Sequence, residues 1–250
     1  MMNRINTRAV ACMAFILSAT TSCALHEASV DHVRGQSAII PATVPMPVST
    51  IEIYDPTLNR RVEADVLSLS SNDIRRRLTS TETLISVERR DSSGGFSYLG
   101  SGGKVSRGTY RVTFDYANYT NQRVTFINDE SAIGRIGVGL RITADLEIKK
   151  NGVDLSGLIP IALAAEDNKV SGQLSFLVYG ISNDKVGLAV PSQAILDVNS
   201  VQKSFEAAAA VRILFGLEDT LLEPYLLGIS EVESTLADEA LEAATKKLVH

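Results

Sequence analysis

The sequence predicts an α+β fold, a mainly antiparallel sheet followed by C-terminal helices packed on it, from three observations. Residues 138–149 alternate without a break, with Val138, Leu140, Ile142, Ala144, Leu146 and Ile148 set against Gly139, Arg141, Thr143, Asp145, Glu147 and Lys149. That period of two is the pattern of a half-buried strand. Residues 109–116 repeat it, with Tyr110, Val112, Phe114 and Tyr116 opposed to Thr109, Arg111, Thr113 and Asp115. The last third then changes period: an Ala207 to Ala210 run precedes Val232, Leu236, Ala240, Ala244 and Leu248, spaced as one face of a helix. A run of strands followed by a run of helices places the helices on one face of an antiparallel sheet.

Element by element, residues 49–54 read as a strand in which Ile51 and Ile53 flank Glu52, stopped by Asp55-Pro56. Ser71-Asn72-Asp73 offers a cap for a short helix through Leu78. Its adjacent Arg75, Arg76 and Arg77 point in different directions on one turn, so a solvated face is expected rather than a phosphate site. Residues 84–87 form a short strand, and six glycines between 92 and 108 favour hairpin turns around Phe96, Tyr98 and Leu99. Residues 118–121 read as a polar turn, with 122–127 returning as the hairpin partner. Asn151-Gly152 closes the 138–148 strand, and 158–165 is an apolar helix that tolerates Pro160 in its first turn. The near-continuous apolarity of 173–181 predicts a strand buried on both faces. A helix over 199–215, capped by Asn199 and stopped at Gly216, precedes a short helix over 219–227; Ser230 with Glu233 forms a capping box that opens a last helix.

The composition is that of a globular protein: 250 residues, 45% hydrophobic and 21% charged. Formal charge is −5, or −7 without Arg4 and Arg8, so there is no basic footprint for nucleic acid.

Residues 1–22 carry Arg4 and Arg8, then an apolar run from Ala9 to Leu17, then small residues up to Ser22. This is the order of a secretory signal peptide, and the apolar run is shorter than the roughly 20 residues a bilayer span needs. Cys23 directly after the small residues resembles the lipobox of bacterial lipoproteins, with Thr20 where that family usually has an aliphatic residue. The resemblance covers this region alone. It implies cleavage before Cys23, acylation of its thiol and new N-terminus, and anchoring in the lipid bilayer through acyl chains, with an outer-membrane address because Ala24 is not Asp. The alternative is cleavage after Ala24, which leaves a soluble periplasmic protein. On the lipoprotein reading the division is a signal peptide over 1–22, the acylated cysteine and a Pro-containing tether over 23–47, a strand-rich domain over 48–198, and a helical segment over 199–250 packed on the same domain. Ala38-Ile39-Ile40 is apolar enough to pack on the body. Cys12 lies in the leader, so the mature chain has no cysteine pair.

Catalytic equipment is sparse. The three histidines, His26, His32 and His250, flank the domain, and neither a Ser-His-Asp nor a zinc constellation suggests itself. Gly100 to Lys104 lacks the Ser or Thr a phosphate-binding loop needs, since Val105 stands there. Ser101 with Lys104, Tyr116 with Asn118, and Lys185 with Gly187 superficially resemble the ordered motifs of serine penicillin-binding enzymes, but Ser101 sits among glycines where no helix forms. Asp145 and Glu147 share one strand face with Arg141, the arrangement of an acid–base pair or of exposed ion pairs. No cofactor is implied. The expectation is a non-enzymatic binding or structural component of the envelope, with a protein partner or envelope component as ligand. The alternatives are a hydrolase using Asp145 and Glu147 or Ser101 and Lys104, and an oligomer paired through its amphipathic strand.

Overall fold

The structure, a computed structural model, describes residues 39–125 and 131–230. The leader, Cys23 and the segment read as a final helix from Ser230 onward lie outside the described residues, Ser230 itself excepted. In chain order come β1 (Ile39–Pro47), β2 (Thr50–Asp55), β3 (Arg60–Asp65), α1 (Ser71–Arg77), β4 (Ser80–Arg90), β5 (Phe96–Gly100), β6 (Lys104–Val105), β7 (Gly108–Thr125) and β8 (Ser131–Ile148). They are followed by β9 (Val153–Asp154), α2 (Leu158–Glu166), β10 (Val170–Tyr179), β11 (Ile181–Ser182), α3 (Val186–Ala189), β12 (Gln193–Ile195), α4 (Val198–Gly216), β13 (Leu221–Leu222) and β14 (Tyr225–Ser230).

β8 organises the molecule. The main sheet runs β1-β14-β8-β7-β4-β5, every pairing antiparallel, and β10 joins β8 while carrying β12. One edge of β8 pairs with β7 from Ser131↔Thr125 to Ile148↔Gly108; the other is shared by β14 over 134–137 and β10 over 139–148. The sheet curls into a half-barrel, and Gly137 and Gly139 permit the approach it requires. A Cβ at Gly139 would run into the carbonyl oxygen of Tyr116, and one at Gly137 into that of Asn118. Only a residue without a side chain lets the β7 backbone come so close.

The alternation in β8 sorts its two faces as the pattern predicts for the apolar set. Val138, Leu140, Ile142, Ala144, Leu146 and Ile148 are all buried, in one core with Val112 and Phe114 of β7, Leu174 of β10, Ile161 of α2, and Ala207, Val211 and Leu214 of α4. Burying each such aliphatic side chain contributes about 1.5–3 kcal/mol.

Several expectations are corrected. Residues 118–121 do not turn: β7 continues through them to Thr125, and Gln122 to Thr125 extend the same strand rather than returning. Their polar side chains have tertiary partners: Tyr119 donates to Glu82 at 2.9 Å, and Gln122 Oε1 accepts from the Glu52 amide at 2.9 Å. The tether ends early, because from Ile39 onward it is β1, an edge strand where Pro41, Pro45 and Pro47 leave no ladder donor to miss. Residues 219–227 hold no helix but strand β13 and the start of β14, separated by Glu223 and Pro224; β14 slots between β1 and β8. The order of strands then helices is thereby broken, since α4 is followed by a central strand. α4 is capped by Asp197, in a capping box with Ser200, rather than by Asn199. β10 is not buried on both faces, as Leu177 is 46% exposed. Of the three arginines, only Arg76 fits a solvated face. Arg75 donates to the Phe215 and Leu217 carbonyls at 2.7 Å each, and Arg77 to the Glu52 carbonyl, fastening α1 to the end of α4 and to β2.

Gly139→Ala is expected to lower unfolding free energy by about 1–3 kcal/mol through forced overpacking, whereas Gly216→Ala, with open space around it, leaves stability nearly unchanged. Parallel denaturant melts of the two variants provide the comparison.

Candidate functional site

The sheet face opposite the helices is polar, and its register aligns that polarity in rows. Ser86, Thr113, Thr143 and Ser175 stand side by side across β4, β7, β8 and β10, and Glu88, Arg111, Asp145 and Gln173 form the next row. The row on the other side holds Leu84, Asp115, Arg141 and Leu177. Alternation puts every second residue here, and cross-strand pairing brings neighbours within reach.

β1 roofs part of this face. Between Pro41, opposite Gly228, and Met46, opposite Leu226, residues 42–45 stand against Leu227 alone, so the strand bulges. The carbonyls freed from the ladder are claimed by Arg141, whose Nη1 donates to Ala42 O and Thr43 O at 2.8 Å each. Its Nε and Nη2 grip Asp115 at 2.8 and 2.7 Å. Both side chains are buried, and the fork satisfies both carboxylate oxygens. Burial pushes the Asp115 carboxyl upward, and the Arg141 fork is the main force drawing it back. Beside them, burial and the Asp115 charge drive the Tyr179 phenol well above its usual range. Further along, Arg135 lies 3.0 Å from Glu82 and 4.1 Å above the Tyr119 ring.

Under the bulge opens a polar cleft of about 220 Å³. Its wall is Pro41, Ala42 and Thr43; its floor is the hydroxyl row of Ser86, Thr113, Thr143 and Ser175; Glu88, Arg111 and Asp145 bring charge. Arg111 Nε donates to Asp145 Oδ1 at 2.8 Å, and the guanidinium lies 4.4 Å from the Phe96 ring centre. Burial raises the Glu88 carboxyl, against the pull of Arg111 and Arg141, and Asp145 adds to the rise. A second cavity of about 400 Å³ lies between Thr81 to Thr83 of β4 and Ala208, Ala209 and Arg212 of α4.

The predicted residues are distributed unevenly. Asp145 lines the cleft, but Glu147, two residues on, is exposed outside it, and Arg141 is committed to Asp115 beneath β1. The expected trio is therefore split. Ser101 and Lys104 are both exposed and absent from the cleft; Gly100, Gly102 and Gly103 take positive φ around Ser101, and Lys104 stands opposite Asp154. Cys23 lies outside the described residues. Sequence reasoning passed over Glu88, and it read Arg111 and Asp115 only as part of a wet face. The usable signal was opposite charge on two alternating strands, Asp115 against Arg141 and Arg111 against Asp145. Among the described residues, no helix is long and apolar enough to cross a membrane. Comparison with known proteins gives no match to any protein-family model, curated protein or solved structure.

Asp115→Ala strands the buried Arg141 charge and is expected to lower stability by about 3–5 kcal/mol, measurable by urea titration. Glu88 carries a pH signature. Its folded value lies above the ordinary 4.5, so the folded chain binds its proton more tightly and Glu88 weakens the fold as pH rises from 4.5 through that folded range. Glu88→Gln removes the effect: the variant's stability relative to the parent should climb with pH across that window, and a flat or falling difference contradicts the assignment.

Proposed function

We propose that the chain is a bacterial envelope lipoprotein, anchored through acylated Cys23 at the outer membrane, and that it is a non-enzymatic binding component whose ligand occupies the polar cleft. The leader, with its charged, apolar and small-residue order ahead of Cys23, supports the address. The observation that carries the binding role is the convergence of five hydroxyl-bearing residues, two carboxylates and a guanidinium in one recess beneath β1. Few polar groups placed together in a concavity are what fixes a small ligand's orientation.

A second reading is hydrolysis, favoured by one observation. Burial raises the Glu88 carboxyl, and it shares the recess with Asp145, which pairs with Arg111; two carboxylates gathered in one cleft suit acid–base work. The two readings differ in whether a bound compound is recovered intact or cleaved.

Expression of the full chain in a bacterial host with labelled palmitate tests the address. Label on the parent protein in the membrane fraction is expected, with Cys23→Ser unlabelled and released. An unlabelled parent, or a mature N-terminus beyond Cys23, overturns the anchor.

A further inference from the structure

Across the cleft the charges alternate in sign along one row. Arg111 of β7 stands directly opposite Glu88 of β4 on one side and Asp145 of β8 on the other, and Gln173 of β10 ends the row. Arg111 Nε donates to Asp145 Oδ1 at 2.8 Å, and Arg111 and Arg141 both draw the Glu88 carboxyl down against the burial that raises it. The ions of the cleft thus already face partners of opposite sign. The neighbouring row carries Ser86, Thr113, Thr143 and Ser175, and Thr43 adds a hydroxyl from the wall. Each hydroxyl both donates and accepts, and an ionised carboxylate has about four acceptor sites, more than one guanidinium bond uses. On the same sheet face Tyr98 of β5 stands opposite Glu88, and Phe96 packs on the Arg111 guanidinium; they are 47% and 38% exposed. Aromatic surface therefore borders a recess whose charges are paired and whose floor is hydroxyl.

Resting on the binding reading above, we infer that the cleft recognises one neutral sugar ring, a pyranose free or at the end of a glycan, with its hydroxyls on Asp145, Glu88 and the Ser/Thr row and its C–H face against Tyr98. A sugar carries hydroxyls that donate to carboxylates and exchange bonds with serine and threonine, on a ring whose C–H groups are apolar. Hydrogen bonds to an ionised partner are roughly twice as strong as neutral ones, and the negative face of an aromatic ring attracts the C–H groups laid on it. Other chemistries fit less well. An anion would meet two carboxylates, Glu88 and Asp145. An organic cation would stand beside Arg111, which holds the centre of the charged row. An aliphatic ligand would cover the hydroxyl floor without bonding it, and polar groups buried in that way are costly. A divalent cation would want more ligands than are gathered here, as no cluster of three or more His, Cys, Asp or Glu able to hold a metal occurs among the described residues. Size agrees: about 220 Å³ corresponds to roughly seven water volumes at about 30 Å³ each, room for a single ring, so a longer glycan would leave its other rings in solvent.

Isothermal titration of the full chain with D-glucose, D-galactose, D-mannose and N-acetyl-D-glucosamine, and with cellotetraose and chitotetraose, tests this. At least one neutral sugar should bind. The matching hexuronate, hexosamine and open-chain alditol, which add a negative charge, add a positive charge or lack the ring face, should each bind at least tenfold more weakly. Asp145→Asn and Tyr98→Ala should each weaken the sugar at least tenfold, whereas Tyr98→Phe, which keeps the ring, should retain binding, and Glu147→Gln, on the same face but outside the cleft, should leave it unchanged. Circular dichroism verifies that each variant is folded. A tetrasaccharide bound tenfold more tightly than any free sugar supports the ring with a polymer as its source, and equal affinity supports it with the free sugar. A hexuronate or alditol bound as tightly as the neutral sugar, or binding untouched by Tyr98→Ala, would overturn the inference. No sugar binding, while ethanolamine or propionate binds in an Asp145-dependent manner, would overturn the sugar and leave the binding reading standing. Silence toward all of these compounds would count against both.

Discussion

The buried fork between Arg141 and Asp115 is the interaction on which the rest of this structure depends. Two charges removed from water lose several kcal/mol of hydration each, and only close, fully satisfied geometry repays that loss. Here all the contacts are made at once: two bonds to the carboxylate bind β7 to β8, and two more, to the Ala42 and Thr43 carbonyls, bind β8 to β1. The bulge in β1 would otherwise leave the Ala42 carbonyl, which is buried, without a partner, and a buried carbonyl without a partner is costly. One guanidinium therefore resolves two problems that the sheet creates for itself.

The two faces of the sheet follow from one periodic sequence and from glycine. Alternation in β8 sends six aliphatic side chains into the helical layer and the intervening residues to the other side. Without Gly137 and Gly139 the strands could not curl toward each other. A flat polar face would be open to solvent and hold nothing; curled and roofed by β1, the same residues line a recess in which their fields are less screened.

What the sequence revealed was the set of strong local patterns. The β8 alternation, the Asn151-Gly152 turn, the short helix at Pro160 and the cap near Ser71 all carry their information within a few residues, and each lies where expected within a residue or so, except that β8 begins at Ser131, seven residues ahead of the alternating stretch. What it concealed depends on distant partners. Asn118 to Asn121 has the composition of a turn but stays extended because Glu82 and β8 hold it. The prolines of β1 resemble a spacer until β14 is known to lie beside them. The site was legible in the same proportion. Asp145 was visible from its own strand, whereas Glu88 contributes through a pairing of β4 with β7 that no local window contains. Arg141 was judged exposed because a roofing strand some hundred residues earlier in the chain leaves no mark on β8 itself.

On the lipoprotein reading proposed above, anchor and cleft meet in β1. Cys23 stands 16 residues before Ile39, and Ile39 begins the strand whose residues Pro41 to Thr43 wall the recess. Among the described residues the sole ladder partner of β1 is β14, and the bulge interrupts even that pairing, so across residues 42–45 the described hydrogen bonds that fix the wall are those of Arg141. A pull transmitted along the chain from a lipid anchor would reach the cleft wall before any other part of the described fold. Resistance to it comes first from the β1–β14 ladder at residues 39–41 and then from a charge pair buried too deeply for salt to screen. On a molecule tethered as proposed, this arrangement would keep the recess intact, because the strand that would receive the load is clamped on the cleft side of the point where the load would arrive.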